Sequence, residues 1–469
     1  MKKEAGFLFF SDGHRAFSWP LMAWRNDREQ AFCGRRRCVG PTVSPLSIMK
    51  DLKTIILAAG KGTRFKSDLP KVLHCVAGRP AIDHVLDVAK ALGSLRTYVV
   101  VGHKANEVRK VIGSRAEVVI QKRLLGTADA VRSCAPHFRQ ARGTVLVMCG
   151  DTPLLDKAVV RRLVQAHHKA KAACTVLSAV LSEPHGYGRI IRDASGSFVA
   201  IREEKDASPS EKMVREINTG VYCFDAALLF SSISKIRVNP KKKEFYLTDI
   251  IELFLSRHRT VRAVVTEDWT ANIGINTRAD LALCERICRE RILKKLMSCG
   301  VTIVDPATTY VEQDVRIGRD TIIYPCSYIH RDVQVGKGCS IGPFARLRPG
   351  TRLGAGVAVG NFTEVSRSTL GPGVTMKHFS FLGDARVGAG SNIGCGTVTA
   401  NYDGKNKNRT VIGPKAFIGS DAVIVAPARI GAGAVLGAGS VLTANRSVPP
   451  GGVAVGVPAR TIKRVKKNG

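Results

Sequence analysis

A six-residue beat constrains this chain more than any other feature of it. Val311, Ile317, Ile323, Ile329, Val335, Ile341, Leu347, Leu353, Val359 and Val365 stand six apart, and after a break the beat returns at Ile412, Ile418, Ile424, Ile430, Leu436, Leu442 and Val448. Glycine often follows the aliphatic residue, as in Ile317-Gly318, Val335-Gly336 and Ile430-Gly431. A period of six fits neither the roughly 3.6-residue turn of a helix nor the alternation of a half-buried strand. It fits a parallel β-helix, in which each flat face takes one hexapeptide and turns its aliphatic side chain into the coil. Three hexapeptides then make one triangular turn. The break between Val365 and Ile412 holds a polar cluster.

The 469 residues suffice for two or three domains. No apolar run approaches the roughly 20 residues that span a bilayer. A net charge of +34 suits either nucleic-acid binding or the handling of anionic small molecules. The basic residues are spread along the chain, apart from short runs at Arg35-Arg36-Arg37, Lys241-Lys242-Lys243 and Lys463-Arg464-Val465-Lys466-Lys467. No aromatic-interleaved basic stripe accompanies them, so small anionic ligands are expected, with neither nucleic acid nor membrane as a partner. The 13 cysteines are odd in number and lack CxxC pairs. That argues against a zinc site or a disulfide framework and for a reducing, cytoplasmic compartment. Residues 1–48 make a poor signal peptide and read as a disordered extension, or as a start assigned upstream of Met49.

From Thr54 onward, short aliphatic runs alternate with helical patterns. Thr54-Ile55-Ile56-Leu57, Thr97–Val101, Glu117–Ile120 and Thr144–Met148 read as strands; Ile82–Leu92 and Thr127–Cys134 read as helices. That alternation predicts an α/β domain, a mainly parallel sheet with helices on both faces. Ligands bind such sheets beyond the carboxyl ends of the strands. The run Leu57-Ala58-Ala59-Gly60-Lys61-Gly62-Thr63-Arg64 falls there, and its small residues let a backbone cradle phosphates. It is neither a Rossmann fingerprint nor a P-loop. Lys71 follows in Asp68-Leu69-Pro70-Lys71, and with Arg64 it can neutralise a triphosphate and a leaving pyrophosphate. Asp151, after Gly150 at a strand end, can hold Mg²⁺ or cap a turn.

These runs, with Gln121…Leu125-Gly126-Thr127-Ala128, Gly186-Tyr187-Gly188-Arg189, Glu203, Glu216-Ile217-Asn218-Thr219-Gly220, Tyr246-Leu247-Thr248-Asp249 and Gly274-Ile275-Asn276, resemble the sugar-phosphate nucleotidyltransferases. Their order, followed by hexapeptides, resembles the bifunctional N-acetylglucosamine-1-phosphate uridyltransferase/glucosamine-1-phosphate acetyltransferase family over about residues 50–460. The resemblance implies a Rossmann-like nucleotidyltransferase domain at 50–277, a linker helix at 278–300, a left-handed parallel β-helix at 301–460 and a basic tail at 461–469. It implies that Leu57, Ala58, Ala59, Gly60, Lys71, Gln121, Gly126 and Thr127 bind UTP. Gly188, Glu203 and Asn218 would bind N-acetylglucosamine-1-phosphate, and Asp151 and Asn276 would hold Mg²⁺. The sugar-phosphate oxygen then attacks the α-phosphorus in line, and catalysis is positioning plus charge neutralisation by the metal, Lys71 and Arg64. The product, UDP-N-acetylglucosamine, is the activated sugar for cell-wall precursors.

For the β-helix the resemblance implies acetyl transfer from acetyl-CoA to glucosamine-1-phosphate, in a homotrimer with acyl-CoA sites between neighbours. His378 takes the role of general base. Arg348, Glu364, Asn392, Asn401, Tyr402, Ser420 and Ala438 match substrate-binding positions, and Asn401–Lys407 reads as a projecting loop. Fewer coils precede Ile341 than in the family generally, so a shorter β-helix is expected. Four positions depart from the family: Ser366 for a lysine, Phe381 for a tyrosine, Cys395 for an alanine, and Val455-Gly456 near a C-terminal arginine that Arg460 can replace. A second reading keeps uridylyl transfer and makes the β-helix only a trimerisation scaffold. A third is a nucleotidyltransferase for another sugar-1-phosphate, and a fourth a basic, non-catalytic binding protein.

Overall fold

The computed structural model describes residues 51–140, 142–240 and 243–464. The expectation for residues 1–48, and most of the basic tail, lie outside the described residues.

The first strand forms at the apolar run predicted for it. β1 (Leu52–Ala58) carries Ile55 and Ile56, both fully buried, each in a different core cluster on either side of the sheet. The remaining strands of its sheet are β2 (Arg96–Val101), β3 (Glu117–Ile120), β4 (Thr144–Cys149), β5 (Cys174–Val180), β6 (Arg189–Arg192), β7 (Phe198–Arg202), β8 (Glu216–Asp225) and β9 (Val261–Thr266). The main sheet runs β9-β5-β8-β4-β1-β2-β3, with β6 pairing β8 and β7 at its side. β8 is antiparallel to β4 and β5; the other neighbours on the path are parallel. Helices Ala81–Ala91 and Lys157–Ala170 cover one face, and Thr127–Arg132, Ala226–Ser232 and Asp249–Leu255 cover the other. β1 and β4 are parallel neighbours, so the glycine-rich turn after Ala58 and Gly150-Asp151 after Cys149 emerge at one edge.

The linker helix, Arg278–Ser298, starts in a capping box made by Thr277 and Asp280. Its early residues Cys284 and Cys288 pack with Phe65, Val76 and Ile275 of the α/β domain. Its late residue Leu293 is 1% exposed and joins the core of the first coil, so the helix plugs the open end of the coil stack.

The hexapeptides wind as predicted into three parallel sheets, the first of them closed by the antiparallel strand Arg460–Arg464. The first face begins with Thr302–Ile303, the second with Tyr310–Val311 and the third with Arg316–Ile317. Each beat residue points inward; Ile323, Ile329, Ile341, Leu347 and Val359 are fully buried. The glycines that follow serve coil stacking: a Cβ on Gly336 would lie 2.6 Å from the carbonyl carbon of Gly354 in the next coil. The corners need left-handed backbone, supplied by Asp314, Asp320 and Asp332 as well as glycines.

The break in the beat is not a break in the coil. Leu370, Met376, Leu382, Val387 and Ile393 continue the core, and Thr399 takes a fully buried core position. Two corners between the second and third faces, Val365 to Leu370 and Leu382 to Val387, are one residue short, which shifts the period. In the next coil the same corner is enlarged instead, and residues 401–409 leave it as the projecting loop.

Candidate active site

The edge of the α/β sheet opens into a cavity of about 670 Å³ lined by Leu57–Thr63, Lys71, Gln121, Gly126, Thr127, Asp151 and Glu203. Small residues make the turn possible: Gly62 is left-handed with φ 62°. Lys71 sits on a short 3-10 turn after Pro70, and its ammonium donates both to Asp151 and, at 3.3 Å, to Asn276 Oδ1. Arg64 Nη2 reaches the same Asn276 oxygen at 3.0 Å. Asn276 is held by its backbone N–H on Asp280, 3.0 Å away, and Ile275 N–H donates to the Asp151 carbonyl at 2.9 Å. One carboxylate and one carboxamide oxygen therefore converge on a single cation, with open cavity beside them. Two hard oxygen donors suit Mg²⁺, which borrows further oxygens from substrate phosphates. Among the described residues no cluster of three His, Cys, Asp or Glu side chains offers an all-protein metal site.

Gln121 is buried and donates through Nε2 to Gly126 O at 3.1 Å and to Asp129 at 2.8 Å. Gly126 has φ 101°, and a Cβ there would lie 2.5 Å from the Phe245 carbonyl. Thr127 Oγ1 accepts from Leu247 N–H at 3.0 Å. These contacts fasten the 121–127 segment to the far wall.

Gly188, Glu203 and Asn218 meet at that wall. Asn218 N–H donates to Gly188 O at 2.8 Å, and a Cβ on Gly188 would sit 3.5 Å from Glu203 Oε2. Behind them, buried Arg189 pairs with Glu204 at 2.7 Å. Burial pushes the Glu203 carboxyl up, against a hydrogen bond from Thr248, and Asp249 and Asp206 add to the rise. Burial likewise drives Asp249 to about 6. Cys149 lines the cavity, but burial first and Asp151 second push its thiol up to about 12. It is neutral at physiological pH and offers no thiolate nucleophile.

On the β-helix the candidate residues divide between two edges of the second face. At the edge shared with the first face, His378 Nδ1 lies 3.1 Å from Asn361 Oδ1. With an acceptor facing it, Nδ1 carries the proton, and Nε2 keeps its lone pair toward solvent. Asn392 lies on the first face itself, level with Thr375 in the next coil, and accepts from it at 2.9 Å. Cys395, Ser420 and Ala438 stack in successive coils along this edge, all exposed. Arg348 and Glu364 pair at 2.9 Å on the second face, and Phe381 adjoins Glu364 in register. At the opposite edge, shared with the third face, Asn401 is buried and donates to Asp384, while Tyr402 on the loop is 61% exposed. Ser366 is also here, 1% exposed, accepting from Arg367 at 2.9 Å. Arg367 clasps Asp384 bidentately at 2.7 and 2.8 Å. Gly456 is left-handed with φ 96°, and Arg460 lies on the final strand, Arg460–Arg464. Within one chain the two edges are not brought together.

Sequence reasoning missed Asn361 and Arg367. Asn361 faces His378 only because their strands are neighbours in the coil register. Arg367 had a signal: a guanidinium directly follows the serine that departs from the family.

A family model of the MobA-like NTP transferase domain matches residues 54–212, and a bacterial transferase hexapeptide model (six repeats) matches residues 409–444. The chain is 46% identical over 403 residues to the bifunctional protein GlmU of Pelotomaculum thermopropionicum, covering 79% of this chain and 88% of that one. It is 43% identical over 398 residues to the GlmU of Geobacillus thermodenitrificans, covering 78% and 87%. The Bacillus subtilis GlmU is 40% identical over 398 residues, again covering 78% and 87%.

Proposed function

This chain belongs to the bifunctional GlmU family, uridyltransferase and acetyltransferase in one polypeptide, and we propose that uridylyl transfer runs in the cavity around Lys71 and Asp151 and acetyl transfer at His378. UTP lies along Leu57–Gly60 with its base toward Gln121, Gly126 and Thr127. N-acetylglucosamine-1-phosphate lies against Gly188, Glu203 and Asn218. Asp151 and Asn276 hold Mg²⁺, which when bound supplies charge neutralisation on phosphate oxygens. Lys71 and Arg64 neutralise the triphosphate and the departing pyrophosphate, and the sugar-phosphate oxygen attacks the α-phosphorus directly. The neutral Cys149 agrees with a direct displacement. The observation that carries this reading is the convergence of Asp151, Asn276, Lys71 and Arg64 at the cavity.

For acetyl transfer, His378 Nε2 takes a proton from the amine of glucosamine-1-phosphate as it attacks the acetyl-CoA thioester. Asn361 fixes the tautomer. Cys395, Ser420 and Ala438 offer an exposed edge along which acetyl-CoA can lie, and Asn401 and Tyr402 meet the substrate. Because these groups occupy two edges of the second face, the site is completed by a neighbouring copy in a homotrimer. A cytoplasmic location goes with these substrates; among the described residues no helix is long and apolar enough to cross a membrane. Ser366 and Phe381 favour the second reading, a scaffold without acetyl transfer.

Two assays test this. Pyrophosphate release is followed with UTP, TTP, GTP and ATP against several sugar-1-phosphates; turnover with UTP and N-acetylglucosamine-1-phosphate is expected, and turnover with another pair only would overturn the assignment. Thiol release from acetyl-CoA with glucosamine-1-phosphate is expected and should vanish in His378→Ala; its absence in the wild type would leave the β-helix as a scaffold.

A further inference from the structure

Asp151 and Asn276 reach the nucleotide cavity on separate segments. Asp151 lies in the loop after β4, and Asn276 ends the stretch that follows β9 and leads into the linker helix. One backbone hydrogen bond joins the two segments beside these residues, from Ile275 N–H to Asp151 O at 2.9 Å. Behind it they share an apolar cluster, with Leu154 from the first, Ile273 and Ile275 from the second, and Cys284 and Cys288 from the linker helix. Apolar contact is non-directional. The cluster therefore holds the segments together without setting their register. Two oxygens that are to meet one small cation of strict geometry need that register fixed.

Arg291, on the linker helix, makes directed bonds to both segments. Its Nη1 donates to Leu154 O at 2.8 Å, and its Nη2 donates to Thr270 Oγ1 at 2.7 Å and to Asp268 Oδ2 at 3.0 Å. Asp268 in turn accepts from Thr270 N–H at 3.1 Å, which caps the short 3-10 turn Trp269–Asn272 before Ile273. The same helix holds the second segment at two further points. Cys284 Sγ donates to Ile273 O at 3.9 Å, and Asp280 Oδ2 accepts from Asn276 N–H at 3.0 Å. Asp280, Cys284 and Arg291 lie on one face of the helix, with about three turns, roughly 16 Å, between the first and the last. The helix is thus a straight brace along the Asn276 segment, and Arg291 ties the Asp151 loop to the same brace.

We propose that Arg291 is a positioning residue for uridylyl transfer, which sets the Asp151 loop against the Asn276 segment so that both oxygens face one cation. This rests on the reading of Asp151 and Asn276 as the Mg²⁺ ligands. Arg291 does not line the nucleotide cavity, so it acts through the two segments. Its ion pair is not a stability device: the Arg291 and Asp268 side chains are 39% and 43% exposed, and pairs so exposed add little to folding. The planar guanidinium is suited to the task because one nitrogen meets the Leu154 carbonyl while the other meets Thr270 and Asp268. An ammonium is a single point of charge and cannot span both.

The test compares the full-length wild type with R291M, R291K and Asp151→Ala. Mn²⁺ binding to each chain saturated with UDP-N-acetylglucosamine is read from the EPR signal of free Mn²⁺. The Mg²⁺ concentration that gives half-maximal pyrophosphate release is measured beside it. R291M should bind Mn²⁺ on the order of tenfold more weakly and need on the order of tenfold more Mg²⁺, as expected when support behind a metal ligand is lost. R291K should stay close to R291M. The KM for N-acetylglucosamine-1-phosphate and the thermal midpoint should stay at their wild-type values. Thr270→Val removes one acceptor of the same clasp and should weaken Mn²⁺ binding in the same direction, which keeps the test open if R291M folds poorly. Wild-type Mn²⁺ affinity in R291M beside a clear loss in Asp151→Ala would sink the inference alone. Full recovery in R291K, or weakening that merely follows a lowered thermal midpoint, would sink it too. Wild-type Mn²⁺ affinity in Asp151→Ala would remove the metal assignment itself, and the inference with it.

Discussion

The α/β domain and the β-helix solve the same problem in opposite ways. In the α/β domain, Lys71 reaches hydrogen-bond distance of both Asp151 and Asn276, residues far apart in one chain. The sheet does this because loops after neighbouring strands emerge at one edge and converge. The β-helix cannot converge in this way. Its coils repeat one cross-section, so they generate columns along flat faces and edges, not a concave cavity. His378 and Asn401 stand on different edges of the second face. The lesson is that a repeat fold makes surfaces, and a site on it needs a second surface, which in the proposed homotrimer is that of a neighbouring copy.

The largest effect is expected at the proposed metal site. Asp151→Ala removes one of two converging oxygens, and pyrophosphate release should fall by on the order of 10²–10³ or more while acetyl transfer persists. Near-normal pyrophosphate release would refute the assignment of Asp151. The reciprocal change, His378→Ala, should lower acetyl transfer by roughly 10²–10⁴, the usual range for a general base, and leave uridylyl transfer intact. Parallel losses of both activities would show that the two regions are not independent.

Smaller effects sharpen the same contrast. Leu382 is fully buried in the coil core, so Leu382→Ala should cost about 2–5 kcal/mol. Thermal or urea unfolding should show the loss in the β-helix, with uridylyl transfer surviving to higher denaturant than acetyl transfer. The smallest effect is electrostatic. Burial, Glu252 and Asp206 raise Asp249 to about 6 in the folded state, against about 3.9 in an unfolded chain. The folded state thus holds this proton more tightly. The contribution is full below about pH 4 and is lost as pH rises through about 6. Asp249→Asn should flatten that decline in an unfolding series across this window, and an unchanged pH dependence would contradict the assignment.

Much of this was legible in the sequence, for physical reasons particular to each element. The inward beat announced the β-helix because a coil core takes mostly aliphatic residues at fixed spacing. Leu57–Arg64 and Gly150-Asp151 announced a ligand edge because glycine and strand-end positions carry local signals. The approach of Asn276 to Asp151 carried no local signal and came from family resemblance. The continuity of the coil between Val365 and Ile412 was hidden by two shortened corners and one enlarged one, which shift the period without changing the stack. The same irregularity hid a column of arginines on the third face. Arg316, Arg352, Arg386 and Arg429 look scattered along the chain, and only coil register aligns them. Asn361 escaped for a related reason: nothing in its own segment marks it as the partner of His378.

The central claim, one site complete in a chain and the other shared between chains, is tested most directly by mixing inactive copies. His378→Ala and Tyr402→Ala chains, co-expressed and purified as mixed oligomers, should recover acetyl transfer that neither shows alone. Lys71→Ala mixed with Asp151→Ala should recover no pyrophosphate release. Failure of the first pair to complement, or recovery by the second, would contradict the account.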